Sequence, residues 1–351
     1  MTRSASVPVT AWPPRSRRAT GASPRLLLGA LAVALLALLV VSLGVGRAPL
    51  DLAAAAAQWW RGEQTLATLV LTELRVPRAL LAILVGGSLG LAGAALQGLL
   101  RNPLAEPGIV GVSSCAALGA VIAFYSGWSV AVPLALPFGG IAGALLAVLL
   151  LYALAGRNAG TLTLILAGVA INGFAGAATA LALNLAPNPY AVTEIVFWMM
   201  GSLSDRSMTH VQVAAPLILL GLVLLATSGR ALDALTLGED AAISLGVPLA
   251  RLRAQLVLGT ALAVGASVAI VGAVGFVGLV VPHLLRPLVG HQPSRLLLPS
   301  ALGGAVLVQA ADIAVRSIPL GAELKLGVVT ALLGAPFFLW LVLRLRQESA
   351  G

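Results

Sequence analysis

Long apolar runs, each closed by a short cluster of charge, glycine or proline, follow one another from residue 26 to residue 343. A run of about 20 such residues, rising about 1.5 Å each, makes a helix that matches the ~30 Å hydrocarbon core of a bilayer. Ten segments fit, near 26–46, 76–100, 109–126, 130–154, 162–186, 208–228, 254–273, 276–289, 297–316 and 326–343. The pattern predicts an all-α, polytopic membrane protein of about ten transmembrane helices. The eighth segment is the weakest, being short and ending in Pro282-His283. The most informative run is 79–100, which carries no charge and stops abruptly in Arg101-Asn102-Pro103-Leu104-Ala105-Glu106-Pro107. Two prolines forbid simple continuation of the helix. Broken polar backbone at a membrane edge is tolerated where it lines a cavity or a protein contact.

Composition narrows the class. The 351 residues are 59% hydrophobic and 9% charged, too little polar surface for a soluble protein of this length. Thirty-nine glycines and 20 prolines suit membrane helices that pack closely and break deliberately. The single cysteine, Cys115, lies within an apolar run; it excludes an intrachain disulfide and a cysteine metal cluster, and reads as a small apolar filler. The net charge of +9 does not form a nucleic-acid face, because the basic residues sit at the ends of apolar spans. Residues 1–25, with Arg3, Arg15, Arg17, Arg18 and Arg25, read as a disordered basic cytoplasmic tail before an uncleaved first helix. Residues 26–346 then form the transmembrane domain and 347–351 a cytoplasmic C-terminal tail. With both termini inside, 14 of the 21 Lys and Arg fall on the cytoplasmic side.

A repeat is visible at an offset of 179: Val85-Gly86, Ser88, Gly93-Ala94, Pro103 and Gly111 return as Val264-Gly265, Ser267, Gly272-Ala273, Pro282 and Gly290. The offset skips five predicted helices, so the copies run in opposite directions, the inverted arrangement of alternating-access transporters. Residues 231–247 stand apart as an acidic loop among basic cytoplasmic edges, with Asp233, Glu239 and Asp240. They predict two short helices joined at Gly238, the second favoured by acids at its positive end and stopped at Gly246. Leu237, Ala242 and Leu245 would give this loop an apolar side for a cytoplasmic protein partner, since acidic residues face anionic lipid poorly.

From about Leu74 to Leu343 the chain resembles the FecCD family, the permease subunits of ATP-binding-cassette (ABC) importers for ferric siderophores, haem and vitamin B12. The resemblance rests on residues 75–114 (RVPRALLAILVGGSLGLAGAALQGLLRNPLAEPGIVGVSS), 164–172, 197–203 (FWMMGSL), 232–247, 275–290 (GFVGLVVPHLLRPLVG), 296–316 and 326–344. It implies the type II importer permease fold in the bacterial cytoplasmic (inner) membrane. It also implies a second permease copy (a homodimer, or a heterodimer), two cytoplasmic ATPase subunits and an extracytoplasmic substrate-binding protein. By the same resemblance Arg75, Arg78 and Arg316 would meet acids of that binding protein. Asn102, Leu104, Thr161 and Leu162 would form the cytoplasmic gate. Leu237, Gly238, Glu239, Asp240, Ala241, Ala242, Leu245 and Gly246 would couple to the ATPase. Three positions depart from the family: Lys325 replaces a usual proline, Cys115 a usual glycine, and Ile243 a common arginine.

The sole lysine lies outside any glycine-rich loop and no G-x-x-x-x-G-K-[ST] occurs, so the chain holds no Walker A site. It is expected to be a transport subunit rather than an enzyme, with no catalytic residues, no metal and no cofactor of its own; ATP and magnesium would sit on the partner ATPase. The expected cargo is an iron chelate, a ferric siderophore first, with haem or vitamin B12 as alternatives. An ion-coupled secondary transporter is the alternative of another class, but it needs mid-membrane ionisable groups, whereas Glu106 and Asp312 lie near span ends. Asp312 could equally pair with Arg316 one turn on.

Overall fold

The computed structural model describes residues 24–46, 48–132, 134–156, 160–186, 189–318 and 323–350. Every regular element among them is helical. Helices α1 (Pro24–Gly44), α2 (Leu52–Trp60) and α3 (Leu66–Leu69) lead through a π-helical turn, Val70–Arg75, into α4 (Val76–Leu100). A 3-10 turn, Pro107–Val110, precedes α5 (Val112–Tyr125), followed by α6 (Trp128–Ala131), α7 (Ala135–Ala155), α8 (Thr161–Asn184), α9 (Pro189–Met199) and α10 (Met208–Ala226). Two short helices, α11 (Gly229–Leu235) and α12 (Glu239–Ser244), make an elbow. Then α13 (Leu249–Thr260) passes through a second π turn, Ala261–Gly265, into α14 (Ala266–Val271). The chain continues with α15 (Val277–Leu285), a 3-10 turn Arg286–Val289, α16 (Pro293–Ser317) and α17 (Leu326–Ala350).

Among the described residues, eight helices are long and apolar enough to cross a membrane, and two shorter apolar ones, Val112–Tyr125 and Val277–Val289, stand where the third and eighth spans were predicted. The third span was expected from residue 109. It begins at Val112, because Pro107 starts a 3-10 turn and Gly111 adopts the left-handed conformation (φ 78°). Fourteen residues make only about 21 Å of helix, so α5 is short of the hydrocarbon thickness. The predicted tail is met only at its end: α1 starts at Pro24, and residues 1–23 lie outside the described residues, as do Arg47 and Arg157. The short C-terminal tail does not separate from the last helix, since α17 continues to Ala350.

The bundle is built around α4, of whose most apolar stretch 83% is buried. Glycine is what lets its neighbours close in. An added Cβ at Gly86 would lie 2.3 Å from the Gly304 carbonyl oxygen, at Gly90 2.0 Å from that of Ser300, and at Gly93 1.9 Å from that of Gly278. Thus α16 runs antiparallel to α4 with backbones in contact, the small-residue packing that replaces hydrophobic driving force within lipid. The same device joins α5 to α7 through Gly119, Gly139 and Gly143, the last against the Cys115 carbonyl. Large exposed side chains such as Leu149, Leu166, Phe174 and Leu332 coat the outside, as lipid-facing helices require.

The structure places the first part of the repeat together: the hydroxyls of Ser88 and Ser267 lie 2.7 Å apart, and each lies within hydrogen-bond reach of a carbonyl of its own helix, Val85 O or Ala263 O, so two protons serve three contacts. The later pairings do not hold. Gly93 is mid-helix whereas Gly272 ends α14; Pro103 lies in a loop whereas Pro282 is inside α15; Gly111 opens a helix whereas Gly290 closes a turn. The left-handed residues that open α5 and α15 are Gly111 and Phe276, 165 positions apart rather than 179. In a chain with 39 glycines, the same residue types align at the wrong offset once the connecting loops differ in length.

Candidate functional site

Two polar clusters interrupt the apolar bundle, one at each end of α16. The first gathers the three arginines expected to dock a partner. Leu66–Leu100 is one apolar stretch of 35 residues, about 52 Å of helix, so Arg75 and Arg78 lie at the far boundary from Leu100. Within this chain all three guanidinium groups are engaged. Arg75 donates to Leu43 O (2.6 Å), Gly44 O (2.7 Å) and Ala48 O (2.5 Å). Arg316 donates to Ser42 O (3.0 Å), Val45 O (2.8 Å) and Ser42 Oγ (2.6 Å). These oxygens belong to the last turn of α1 and the segment after it, where carbonyls lack intrahelical partners and the helix dipole is negative. Arg78 pairs with fully buried Asp312 at 2.8 Å and with Glu323, and Asp312 also holds Arg316 at 2.9 Å. The i,i+4 pair read from the sequence is therefore present, but inside a larger clamp. A cleft of about 280 Å³ opens over it, lined among others by Arg75, Arg78, Arg206, Arg316, Asp205 and Glu323.

The loop after α4 is held rather than free. Arg101 ends the helix in the left-handed conformation (φ 49°), and Asn102 Oδ1 accepts from Leu104 N at 2.9 Å. Buried Gln97 donates to Ala105 O and Gly278 O, both at 3.2 Å, and accepts from Arg286. Glu106 accepts from the backbone N–H of Phe276, so the loop is stitched to the start of α15. Leu162 is exposed, and Thr161, half-buried at the first turn of α8, donates to Glu239 Oε1 at 2.9 Å. Two residues expected to act separately, one in a gate and one in a coupling loop, are hydrogen-bonded to each other.

The elbow is the second cluster, and its geometry follows from its sequence. Gly238 separates α11 from α12 at φ 110°, a conformation for which only glycine is suited. Gly246, at φ 83°, closes α12 with Gly246 N to Ile243 O (2.8 Å) and Val247 N to Ala242 O (3.0 Å), a Schellman stop. Leu237 and Leu245 stand exposed, and Ile243 with them. Ala242 does not join that face; it is fully buried against the bundle. Asp240 is exposed and Ala241 half-buried. Glu239 pairs with Arg253 on α13 at 2.8 Å, and its carboxyl is held below the usual range by Arg253, against burial, with help from Thr161 and the charge of Arg101. Asp233 accepts from Ser294 N (2.8 Å), Ser294 Oγ (2.6 Å) and Gln292 Nε2 (2.8 Å), capping α16 from a neighbouring helix. Burial alone would raise its pKa; the hydrogen bonds from Ser294 and Gln292 and the nearby Arg295 outweigh it and lower the value.

The sequence reading missed Arg253, Gln97, Glu323 and the partners of Asp233. A signal existed for one: Gln292-Pro293-Ser294 is a helix start whose free N–H groups seek an acid. Of the three departures from the family pattern, Lys325 has a local partner. Lys325 lies 5.5 Å from the ring centroid of Phe197, a cation–π contact at the start of α17. His283 stacks edge-on against Phe337 at 5.7 Å. Gly327 brings α17 against the 197–203 motif, where an added Cβ would lie 2.3 Å from both Met200 O and Ala273 O.

Comparison with known proteins accounts for this architecture. The model of the FecCD transport family matches residues 34–344. The chain belongs to the FecCD family. It is 38% identical over 332 residues, 93% of this chain and 98% of the relative, to the hemin transport system permease protein HmuU of Yersinia pestis. It is 45% identical over 277 residues, 78% of this chain and 82% of the relative, to the vitamin B12 import system permease protein BtuC of Vibrio cholerae. An ABC transporter classed with the metal-chelate type, solved in an inward-facing conformation, superposes with a TM-score of 0.79 at 33% identity, covering 91% of this chain and 99% of that one. The chain is thus a multi-pass membrane permease of the ABC importer class, a transport subunit.

Proposed function

We propose that this permease carries a bulky metal chelate across the cytoplasmic membrane, with transport driven by separate ATPase subunits docked on the α11–α12 elbow. The observation that carries the reading is the elbow itself: Leu237, Ile243 and Leu245 project from it, while Asp233 and Glu239 secure it to the bundle. An apolar knob fixed by acids suits a protein groove and not a lipid surface. On this reading the elbow and both termini face the cytoplasm, in keeping with the bias of Lys and Arg. A second permease copy completes the conduit, and an external binding protein delivers cargo at the cleft over Arg78. That cleft and Asp312 beneath it set four guanidinium groups against three carboxylates, so attraction of an acidic partner would be modest. The relatives named above carry haem or vitamin B12, which puts these beside a ferric siderophore as the cargo.

The test is reconstitution in liposomes with a candidate ATPase subunit and a candidate binding protein. Ferric siderophore, haemin and cyanocobalamin are offered in turn. ATP-dependent accumulation of one chelate is the expected result. Accumulation that persists without the ATPase, or that follows an imposed proton gradient, would overturn the reading.

A further inference from the structure

The elbow is fastened to the bundle at two places that differ in kind. Asp233 accepts three hydrogen bonds, all from the first turn of α16 or its cap. That helix is packed backbone-to-backbone against α4 at Gly86 and Gly90, so this attachment is to a closely packed helix pair. Glu239 sits on the far side of Gly238, and among the described residues its hydrogen bond to α8 is to one hydroxyl, that of Thr161. Only a third of the most apolar stretch of α8 is buried, against 83% for α4, and α8 meets the turn before α5 at Gly168, where an added Cβ would lie 2.3 Å from Ile109 O. Around Glu239 also lie Arg253 of α13, at 2.8 Å, and the charge of Arg101 in the loop after α4. One carboxylate therefore joins α12, α13 and α8, and it holds α8 by its weakest contact.

We propose that Glu239 is a positioning residue that carries movement of the elbow to the N-terminal end of α8 through the Thr161 hydroxyl, while Asp233 anchors the elbow to α16. The proposal rests on the reading of the elbow as the ATPase contact. A push on the tip then acts about a fixed point at Asp233, and the α12 side, hinged at Gly238, takes α8 with it. Arg253 keeps the carboxylate charged and aimed.

The experiment uses the full permease copurified with its ATPase in lipid nanodiscs, with spin labels on Thr163→Cys of α8 and Ser244→Cys of α12, both exposed positions, Cys115 being buried. The label distance is read without nucleotide and after trapping with ATP and vanadate. With Thr161 intact the two labels move together and the distance stays the same. Thr161→Val removes the hydroxyl at nearly constant shape; the trapped state should then differ by on the order of 5 Å, one helical turn. Thr161→Ser, which keeps the hydroxyl, should restore the fixed distance. A Thr161→Val permease whose distance does not change on trapping overturns the link, and so does a Thr161→Ser permease that behaves like the valine variant. A chain that copurifies with no ATPase overturns the importer reading and the link with it, and is recognised before any label is measured.

Discussion

At the scale of single residues, Asp233 and Glu239 of the elbow respond to acid in a defined direction. Asp233 titrates below its ordinary value because hydrogen bonds from Ser294 and Gln292 favour the charged form more than burial disfavours it. A lowered folded-state pKa contributes stability that is present above the unfolded value, about 3.9, and is lost as the pH falls through the folded value. Asp233→Asn keeps the shape but removes the charge at the α16 N-terminus, which should cost about 1 kcal/mol near neutral pH. Thermal melting of the two proteins across pH is the measurement. The gap between them should be constant at neutral pH and close below about pH 4, as the wild-type carboxylate takes up its proton. A gap that widens on acidification would mean that Asp233 is held neutral in the fold. Glu239 follows the same sign, for its carboxylate is stabilised chiefly by Arg253.

At the scale of elements, α1 is fastened at one end by side chains that arrive from elsewhere. Only 6% of its most apolar stretch is buried, and the guanidinium groups of Arg75 and Arg316 clamp its last turn to the bundle. Arg316→Ala should free Ser42 O and Val45 O and leave Asp312 one cation short, a loss of about 2 kcal/mol. Hydrogen exchange should rise in residues 36–46 first, and Arg316→Lys should not rescue it, because one ammonium cannot span the oxygens that a fork reaches. Uniform exchange along α1 would count against the clamp. The elbow tip gives the opposite expectation. Leu237→Ser, Ile243→Ser and Leu245→Ser together touch only exposed side chains, so melting should change by less than about 0.5 kcal/mol per site. Copurification of the ATPase should nevertheless fall at least about tenfold, as expected when apolar anchors leave an interface. Retained binding would move the contact away from the elbow.

At the scale of the molecule, α16 connects the two polar clusters: Ser294 at one end receives Asp233, and Asp312, 18 residues and about 27 Å along, holds Arg78 and Arg316. The sequence made the ten apolar segments legible because lipid imposes a length, and it made the elbow legible because acids among basic edges stand out. It could not reveal that Arg75 and Arg316 turn to the end of α1, since the partners there are backbone carbonyls, which every residue has. Nor could it join Thr161 to Glu239, 78 residues apart with no pattern between them. What it did carry, unread, was the rigidity of the strut in Gly86, Gly90 and Gly304. A methyl at Gly86 would fall 2.3 Å from Gly304 O, and one at Gly304 2.1 Å from Gly86 O, so both enter the same gap. Gly86→Ala or Gly304→Ala alone should push α4 from α16 and cost about 1–3 kcal/mol by overpacking. Once the helices have parted for one methyl, the second finds room already made. The double variant should therefore lose less than the sum of the two, with a coupling above about 0.5 kcal/mol measured by unfolding in mixed detergent. Strict additivity would mean that the backbones are not in contact there, and that α16 could not hold Asp233 and Arg78 in fixed relation.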